Sequence, residues 1–471
     1  MLNLRLKEIA VWTRGTLHGS DAAVHAISTD SRTLSSGELF VALVGERHDG
    51  HRHLAEAAAR GAVGVLVSRH VDIALPQIVV ADTLHALGDL ASAVRAQCDT
   101  CVIGITGSNG KTTVKTLTAG ILARHGRTHG NAASFNNEIG VPLTLLAMPD
   151  DTEYAVLEMG AGKPGDIDYL AAIARPRIGL VNNVGPAHLE RMHSLEGIAE
   201  TKGAMYRALP PGGVAVINAD DAFAGYFTGL AGARRVLRFG LDAPADVRAG
   251  DLDLGADASE FSLATPAGDA TVRLPLPGRH NVANALAAAA LAHAAGAGMD
   301  EIVAGLEAAE SVAARLRRRP SPQGWVLFDD SYNANPGSTL AAIATLALQP
   351  GERWLVLGDM AELGSEGGAL HARIGQAARA QGIARVYAVG KLAAGAAGAF
   401  GEGGYVYPDQ AALIAALRGD LHPGVSVLIK GSHSSHMENV VAALLDDGLP
   451  DDGLLDDGSL DNGKGGGRHV A

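Results

Sequence analysis

The residues with the clearest chemical capacity lie in one run, Gly107-Ser108-Asn109-Gly110-Lys111-Thr112-Thr113. Consecutive backbone N–H groups, a lysine and a hydroxyl at the start of a helix are what a triphosphate and its Mg²⁺ require. Gly107 and Gly110 permit backbone geometry that a Cβ would obstruct. Lys111 is placed to meet the β- and γ-phosphates, and Thr112 to ligate the metal ion. The run is one residue shorter than G-x-x-x-x-G-K-[ST] unless counted from Gly104 or Thr106. A strand, G-x-x-G-K-T-T and a helix still occur together, which predicts a nucleoside triphosphate site rather than an ordinary glycine-rich turn.

Such a loop needs a strand to deliver it and a helix to receive it. Residues 102–105 form a short apolar run that reads as a buried strand, and helical spacing begins at Val114. Further strands are predicted at 154–159, ending near Glu158, at 178–184, followed by His188, and at 214–218. Ligands in α/β sheets bind beyond the C-terminal strand ends, so Glu158 and His188 are expected on the edge that carries the loop. The alternation runs over 99–312 and predicts a sheet covered on both faces. It is interrupted by a β-rich excursion at 234–277, after which Pro277-Gly278-Arg279-His280-Asn281 opens an Ala-rich helix.

Residues 1–98 form a first unit and 313–447 a third. The third repeats the α/β alternation without a second phosphate loop, as a substrate or closure domain would. Its strands lead into Asp330-Ser331-Tyr332-Asn333-Ala334-Asn335-Pro336, Gly358-Asp359-Met360 and Lys430-Gly431-Ser432. In the first unit, Ser28, Thr29, Arg32 and Arg47 suit a solvated loop and a diphosphate grip equally well. The tail at 448–471 is rich in Gly and Asp and poor in apolar residues, and is expected to be disordered.

A chain of 471 residues with 47% apolar content can hold two to four well-filled domains. A formal net charge of −13 argues against a broad nucleic-acid or anionic-membrane surface. No uninterrupted apolar run reaches the length of a membrane span, and the charged N-terminus lacks a secretory core, so a cytoplasmic protein is expected. Cys98 and Cys101 are the two cysteines. A redox motif would want a thioredoxin-like setting and zinc two further ligands, so inert thiols are the expectation. Taken alone, His188 is more often structural than metal-binding, and Lys202 reads as a solvated helix lysine.

Ordered along residues 28–445 are STDSR, GERHDGH, GITGSNGKTT, NNEIGVPLTLL, LEMGAG, NNVGPAHLE, LPGRHNVANALAAAA, DDSYNANPGS, GDMAELG and KGSHSSHME. This set resembles the Mur ligases, ATP-dependent amide-forming enzymes of peptidoglycan synthesis. DDSYNANP and GDMAELG resemble their dipeptide-adding branch, and the DNPR of the branch that adds diaminopimelate is absent. The resemblance implies an N-terminal UDP-substrate domain, a central P-loop ATPase domain and a C-terminal Rossmann-like domain. It implies ATP and Mg²⁺ as cofactors, with UDP-N-acetylmuramoyl-tripeptide and D-alanyl-D-alanine as substrates of a monomer. ATP would lie on Gly107 to Thr113, with Asn281 and Asn284 near the adenine and Arg315 and Asp330 reaching phosphate and ribose. Thr112 and Glu158 would serve one Mg²⁺, and His188 with a carbamylated Lys202 a second. Lys111, Lys202 and His188 would carry the catalysis. Asn333 and Asn335 would face the dipeptide, and Ser28, Ser31 and Arg47 the uridine diphosphate.

Two departures stand out. The usual KGSRS reads Lys430-Gly431-Ser432-His433-Ser434, and the common AKGE reads Thr201-Lys202-Gly203-Ala204. Another Mur ligase or a folylpolyglutamate-type synthetase is the alternative within the class. A P-loop switch protein is the alternative outside it, disfavoured by Glu158, His188 and the large third unit.

Overall fold

The computed structural model describes residues 4–45, 48–132 and 135–445. Arg47 and the predicted disordered tail lie outside the described residues.

Cys101–Thr106 is buried from its second residue onward, as its apolar run requires, and sits inside a nine-stranded sheet. Tyr154–Glu158 and Ile178–Val181 flank it in parallel, which puts their C-terminal ends beside the phosphate loop. Glu158 pairs with Ile105, two residues before Gly107. Val214–Asn218 and Arg235–Gly240 continue the sheet in parallel. The β-rich stretch is not a separate excursion. Val247–Leu254, Ser259–Thr265 and Gly268–Leu274 extend the same sheet, the last two antiparallel. Alternation makes this possible: Phe261, Leu263, Val272 and Leu274 point one way, into the core beneath the helix Arg279–Ala295. That helix is buried on nearly every side, which its alanines allow, and it packs against Lys111–Leu122.

The first unit carries a five-stranded sheet in the order Thr16–His18, Gln77–Val79, Gly64–Val67, Glu38–Val41, Ala26–Ser28. Its helix Thr83–Arg95 presents Leu87, Leu90 and Ala91 to Leu145, Leu170 and Ile173 of the central unit, so the two units share one apolar core. Arg95 seals the join. Its buried guanidinium donates to the carbonyls of Ala174 at 2.9 Å, Cys98 at 2.7 Å and Thr100 at 2.9 Å.

The third unit has a six-stranded sheet with Val425–Lys430 between Val326–Asp330 and Glu352–Leu357, all parallel. Period-two alternation sends Leu428 to one face and Val427 and Ile429 to the other, each into its own apolar cluster. Among the described residues, neither cluster includes a side chain of the central sheet. Polar contacts join the units, including Gln349 Nε2 to the Ala256 carbonyl at 2.6 Å and Arg318 with Asp257 at 3.2 Å.

Cys98 and Cys101 are free and half-buried, and burial pushes both thiols up. No helix among the described residues is long and apolar enough to cross a membrane.

Candidate active site

The phosphate loop is held open by its own backbone rules and by asparagines. Gly107 has φ 149° and Gly110, which caps the helix Lys111–Leu122, has φ 79°. A Cβ on Gly110 would meet Asn182 Nδ2 at 2.6 Å, and it would collide with Asn284 Oδ1, so glycine is required twice over there. Asn183 accepts the N–H of Ser108 on its carbonyl at 2.9 Å and that of Asn109 on Oδ1 at 2.8 Å. Asn182 Nδ2 donates to the Asn109 carbonyl at 2.9 Å and to Asn284 Oδ1 at 3.1 Å. Lys111 Nζ donates across the loop to the Gly107 carbonyl at 2.9 Å. Burial pushes the Lys111 ammonium below its ordinary pKa, partly opposed by the charge of Glu158.

Thr112 follows, and its hydroxyl donates to Glu158 Oε2 at 2.8 Å. Asn136 Nδ2 donates to the other oxygen at 2.6 Å, so the buried carboxylate is oriented from both sides. These hard oxygen donors suit Mg²⁺, which takes one or two protein ligands and completes its shell with water and phosphate oxygens. Among the described residues no three His, Cys, Asp or Glu gather as a metal cluster.

The loop opens into a cavity of about 640 Å³ whose far wall comes from the third unit. Asn281 and Asn284 line it from the Ala-rich helix, and Arg315, Asp330, Asn333 and Asn335 line it from across the gap. The Arg315 guanidinium lies 4.4 Å over the Tyr332 ring. Asp330 pairs with buried Lys430 at 2.5 Å, and Lys430 also donates to the Asn333 carbonyl at 2.9 Å. Burial pushes the Asp330 carboxyl up, against the opposing pull of Lys430. Asn335 caps the helix Pro336–Leu346 by accepting from Ser338 N–H at 2.9 Å, while its Nδ2 donates to Asn109 Oδ1 at 2.7 Å. The side chain expected at the dipeptide thus ties the third unit to the phosphate loop.

His188 also lines the cavity, and its Nδ1 is hydrogen-bonded to Glu362 of the third unit. That bond holds the Glu362 carboxyl below its usual range despite partial burial. Lys202, on the helix Leu195–Arg207, corrects the solvated-lysine expectation, being 1% exposed. It lies outside the lining of the cavity. Burial first, and the Lys111 charge second, bring its pKa down to about 7.

Ser28 and Ser31 lie in the first unit, away from this cavity. Ser28 Oγ donates to the Asp30 carbonyl at 3.0 Å and Ser31 Oγ to Glu56 at 2.6 Å. Arg32, the described member of the basic pair, is held by Asp30 at 2.7 Å. Sequence reasoning gave no role to His280, Lys430, Glu362 or Asn136, although each sits in a motif quoted above. His280 lines the cavity, and burial with the Lys430 charge brings its imidazole down to about 4.

Residues 105–292 match the Mur ligase middle domain, 314–433 the glutamate ligase domain of Mur ligases, and 23–95 the Mur ligase family catalytic domain. The chain belongs to the Mur ligase family. Among its relatives is UDP-N-acetylmuramoyl-tripeptide–D-alanyl-D-alanine ligase of Escherichia coli K12, 45% identical over 95% of this chain and 100% of the relative. MurF of Acinetobacter baumannii superposes with a TM-score of 0.90 at 35% identity, covering 95% of this chain and 99% of that one. MurF ligase of Thermotoga maritima, solved in complex with ADP, gives 0.80 at 27% identity, over 90% and 98% of the two chains.

Proposed function

We propose that this chain joins D-alanyl-D-alanine to UDP-N-acetylmuramoyl-tripeptide at the expense of ATP, giving the pentapeptide, ADP and phosphate in peptidoglycan synthesis. The observation that carries this reading is the single cavity faced by Lys111, Thr112 and Glu158 on one wall and by Arg315, Asp330 and Asn333 on the other. A phosphoryl donor on the first wall and an amine held by the second can then meet one carboxylate.

A carboxylate is a poor electrophile, so its oxygen first takes the γ-phosphoryl group and becomes an acyl phosphate. The dipeptide amine attacks the acyl carbon; the C–N bond forms as the carbon–phosphate oxygen bond breaks. Lys111 offsets the repulsion between two approaching anions. Mg²⁺ supplies further neutralisation of the phosphate oxygens when bound. Thr112 and Glu158 would hold one ion, and His188 with Lys202 a second. The lowered pKa of buried Lys202 supports the carbamate role. An amine with a pKa near 7 is substantially free at neutral pH, and CO₂ adds to it with loss of one proton. The anion so formed replaces repulsion from Lys111 by attraction.

The division of labour follows. Residues 1–98 would take the uridine diphosphate through Ser28, Ser31 and Arg47, 99–312 the ATP, and 313–447 the dipeptide through Asn333 and Asn335. Asn281, Asn284, Arg315 and Asp330 would hold the nucleoside and its phosphates, and the chain would act as a monomer. Closure of the third unit would align the reactants and exclude water from the acyl phosphate. The test is mass spectrometry of the product formed from UDP-linked tripeptide, D-alanyl-D-alanine and ATP, with single amino acids and glutamate in parallel. One pentapeptide per phosphate released, with D-alanyl-D-alanine alone, is expected; phosphate release without amide product would sink the proposal.

A further inference from the structure

Glu362 extends from the third unit to three residues of the central one. Its carboxylate is hydrogen-bonded to His188 Nδ1, and Arg191 approaches the other oxygen at 4.0 Å. Its backbone carbonyl accepts the N–H of Glu190 at 3.3 Å. Both partners are unusual in their backbones: His188 has φ 58° and Glu362 φ 60°, a region that residues other than glycine seldom enter. Strained conformers persist where the surrounding structure over-determines them, and here they meet each other across a domain boundary.

The chemistry of that meeting is directional. With the imidazole proton on Nδ1, the carboxylate accepts it, the ring is fixed in plane and in tautomer, and Nε2 presents a lone pair. A histidine that ligates a metal ion usually has such a partner on its other nitrogen. The two side chains are about one-third exposed, at 33% and 38%, so as a mere ion pair they would add little to stability.

We propose that Glu362 is a positioning residue: docking of the third domain delivers its carboxylate to His188 and thereby readies Nε2 for a metal ion. Closure and assembly of the metal site are then one event, because the orienting group and the ligand arrive on different domains. This rests on the metal role given to His188 under the proposed function.

Glu362→Ala, Glu362→Gly and Glu362→Gln are compared with the wild type by titrating Mn²⁺, read by electron paramagnetic resonance, in the presence of β,γ-methylene-ATP. Loss of the carboxylate is expected to weaken the second equivalent of Mn²⁺ about 10-fold or more and to lower kcat by a similar factor. KM for ATP stays within about threefold and the melting temperature does not move, as suits an exposed ion pair. Glu362→Gln keeps an acceptor for Nδ1–H and falls between. The alanine and glycine variants separate side chain from backbone, because glycine relaxes the positive φ. Equal defects in both support the proposal; a defect in alanine that glycine repairs would overturn it. So would Mn²⁺ binding within twofold of wild type in all three, whatever happens to kcat. A wild type that binds Mn²⁺ but forms no amide overturns the functional reading alone, and the Mn²⁺ comparison still decides this one.

Discussion

Lys202 and Lys430 are both almost wholly buried, at 1% and 2% exposure, yet the two regions treat the amine in opposite ways. In the third unit, Lys430 has Asp330 at 2.5 Å and the Asn333 carbonyl at 2.9 Å. In the central unit, Lys202 has no hydrogen-bond partner among the described residues, and the strongest charge it feels is another lysine. A lysine paired in this way holds its surroundings together. An unpaired one is driven toward the neutral amine, which is the form that can be chemically modified. The difference separates a lysine held by an acid from a lysine with no acid among the described residues at hydrogen-bond distance.

The largest expected effect bears on the charge that faces Lys202. Lys111→Ala removes the cation that the proposed function sets against the transferring phosphoryl group and should slow ligation about 10³-fold, roughly 4 kcal/mol of barrier, in a protein that stays folded. Near-normal turnover would break the assignment.

Replacing each buried lysine by methionine sharpens the contrast directly. Lys430→Met leaves Asp330 unpaired and should cost about 3–5 kcal/mol in urea unfolding. Lys202→Met should leave stability unchanged or raised while removing most activity. Lys202→Ala should recover part of that activity with acetate, which supplies the missing anion. Equal loss of stability in the two methionine variants, or full activity without Lys202, would erase the distinction.

His280 reports its own burial first, and the Lys430 charge second, through pH. Its folded-state pKa of about 4 lies below the ordinary 6.5, so the unfolded chain binds more protons between these values. Stability should therefore rise with pH across that window, by at most about 3 kcal/mol, and be lost on acidification. His280→Gln should flatten the unfolding curve between pH 4 and 6.5; an unchanged slope would show that His280 is not the group responsible.

The smallest effect is expected at His433, three residues past Lys430. Its ring is exposed, 6.2 Å from that of Tyr332, and does not line the cavity. His433→Arg should change the ligation rate by less than about tenfold, under roughly 1.4 kcal/mol. A collapse would mean that the third unit's wall cannot accept a further fixed cation beside Arg315 and Lys430.

What the sequence disclosed follows the range of the forces involved. The phosphate loop, the strand ending at Glu158 and the Ala-rich helix are written in consecutive residues, through glycine positions and apolar periodicity. Contacts between distant segments are not. Nothing local marks Lys202 as buried, since its helix has an ordinary polar composition, and its environment depends on how that helix packs. The same holds for Asn335 bridging to Asn109 and for Glu362 reaching His188, each between residues far apart in the chain. The stretch 234–277 was legible as β-rich, but its membership of the central sheet depends on pairing that alternation alone does not specify.

The shared apolar core between the first and central units has a consequence for how the molecule melts. Leu87 and Leu90 cannot leave Leu145 and Leu170 without exposing both units to water, and the bonds from Arg95 to the Ala174 and Thr100 carbonyls break in the same event. Residues 4 to about 312 should therefore unfold as one cooperative block, while the separately cored third unit gives its own calorimetric transition. Heat would divide into two peaks a chain that sequence divides into three.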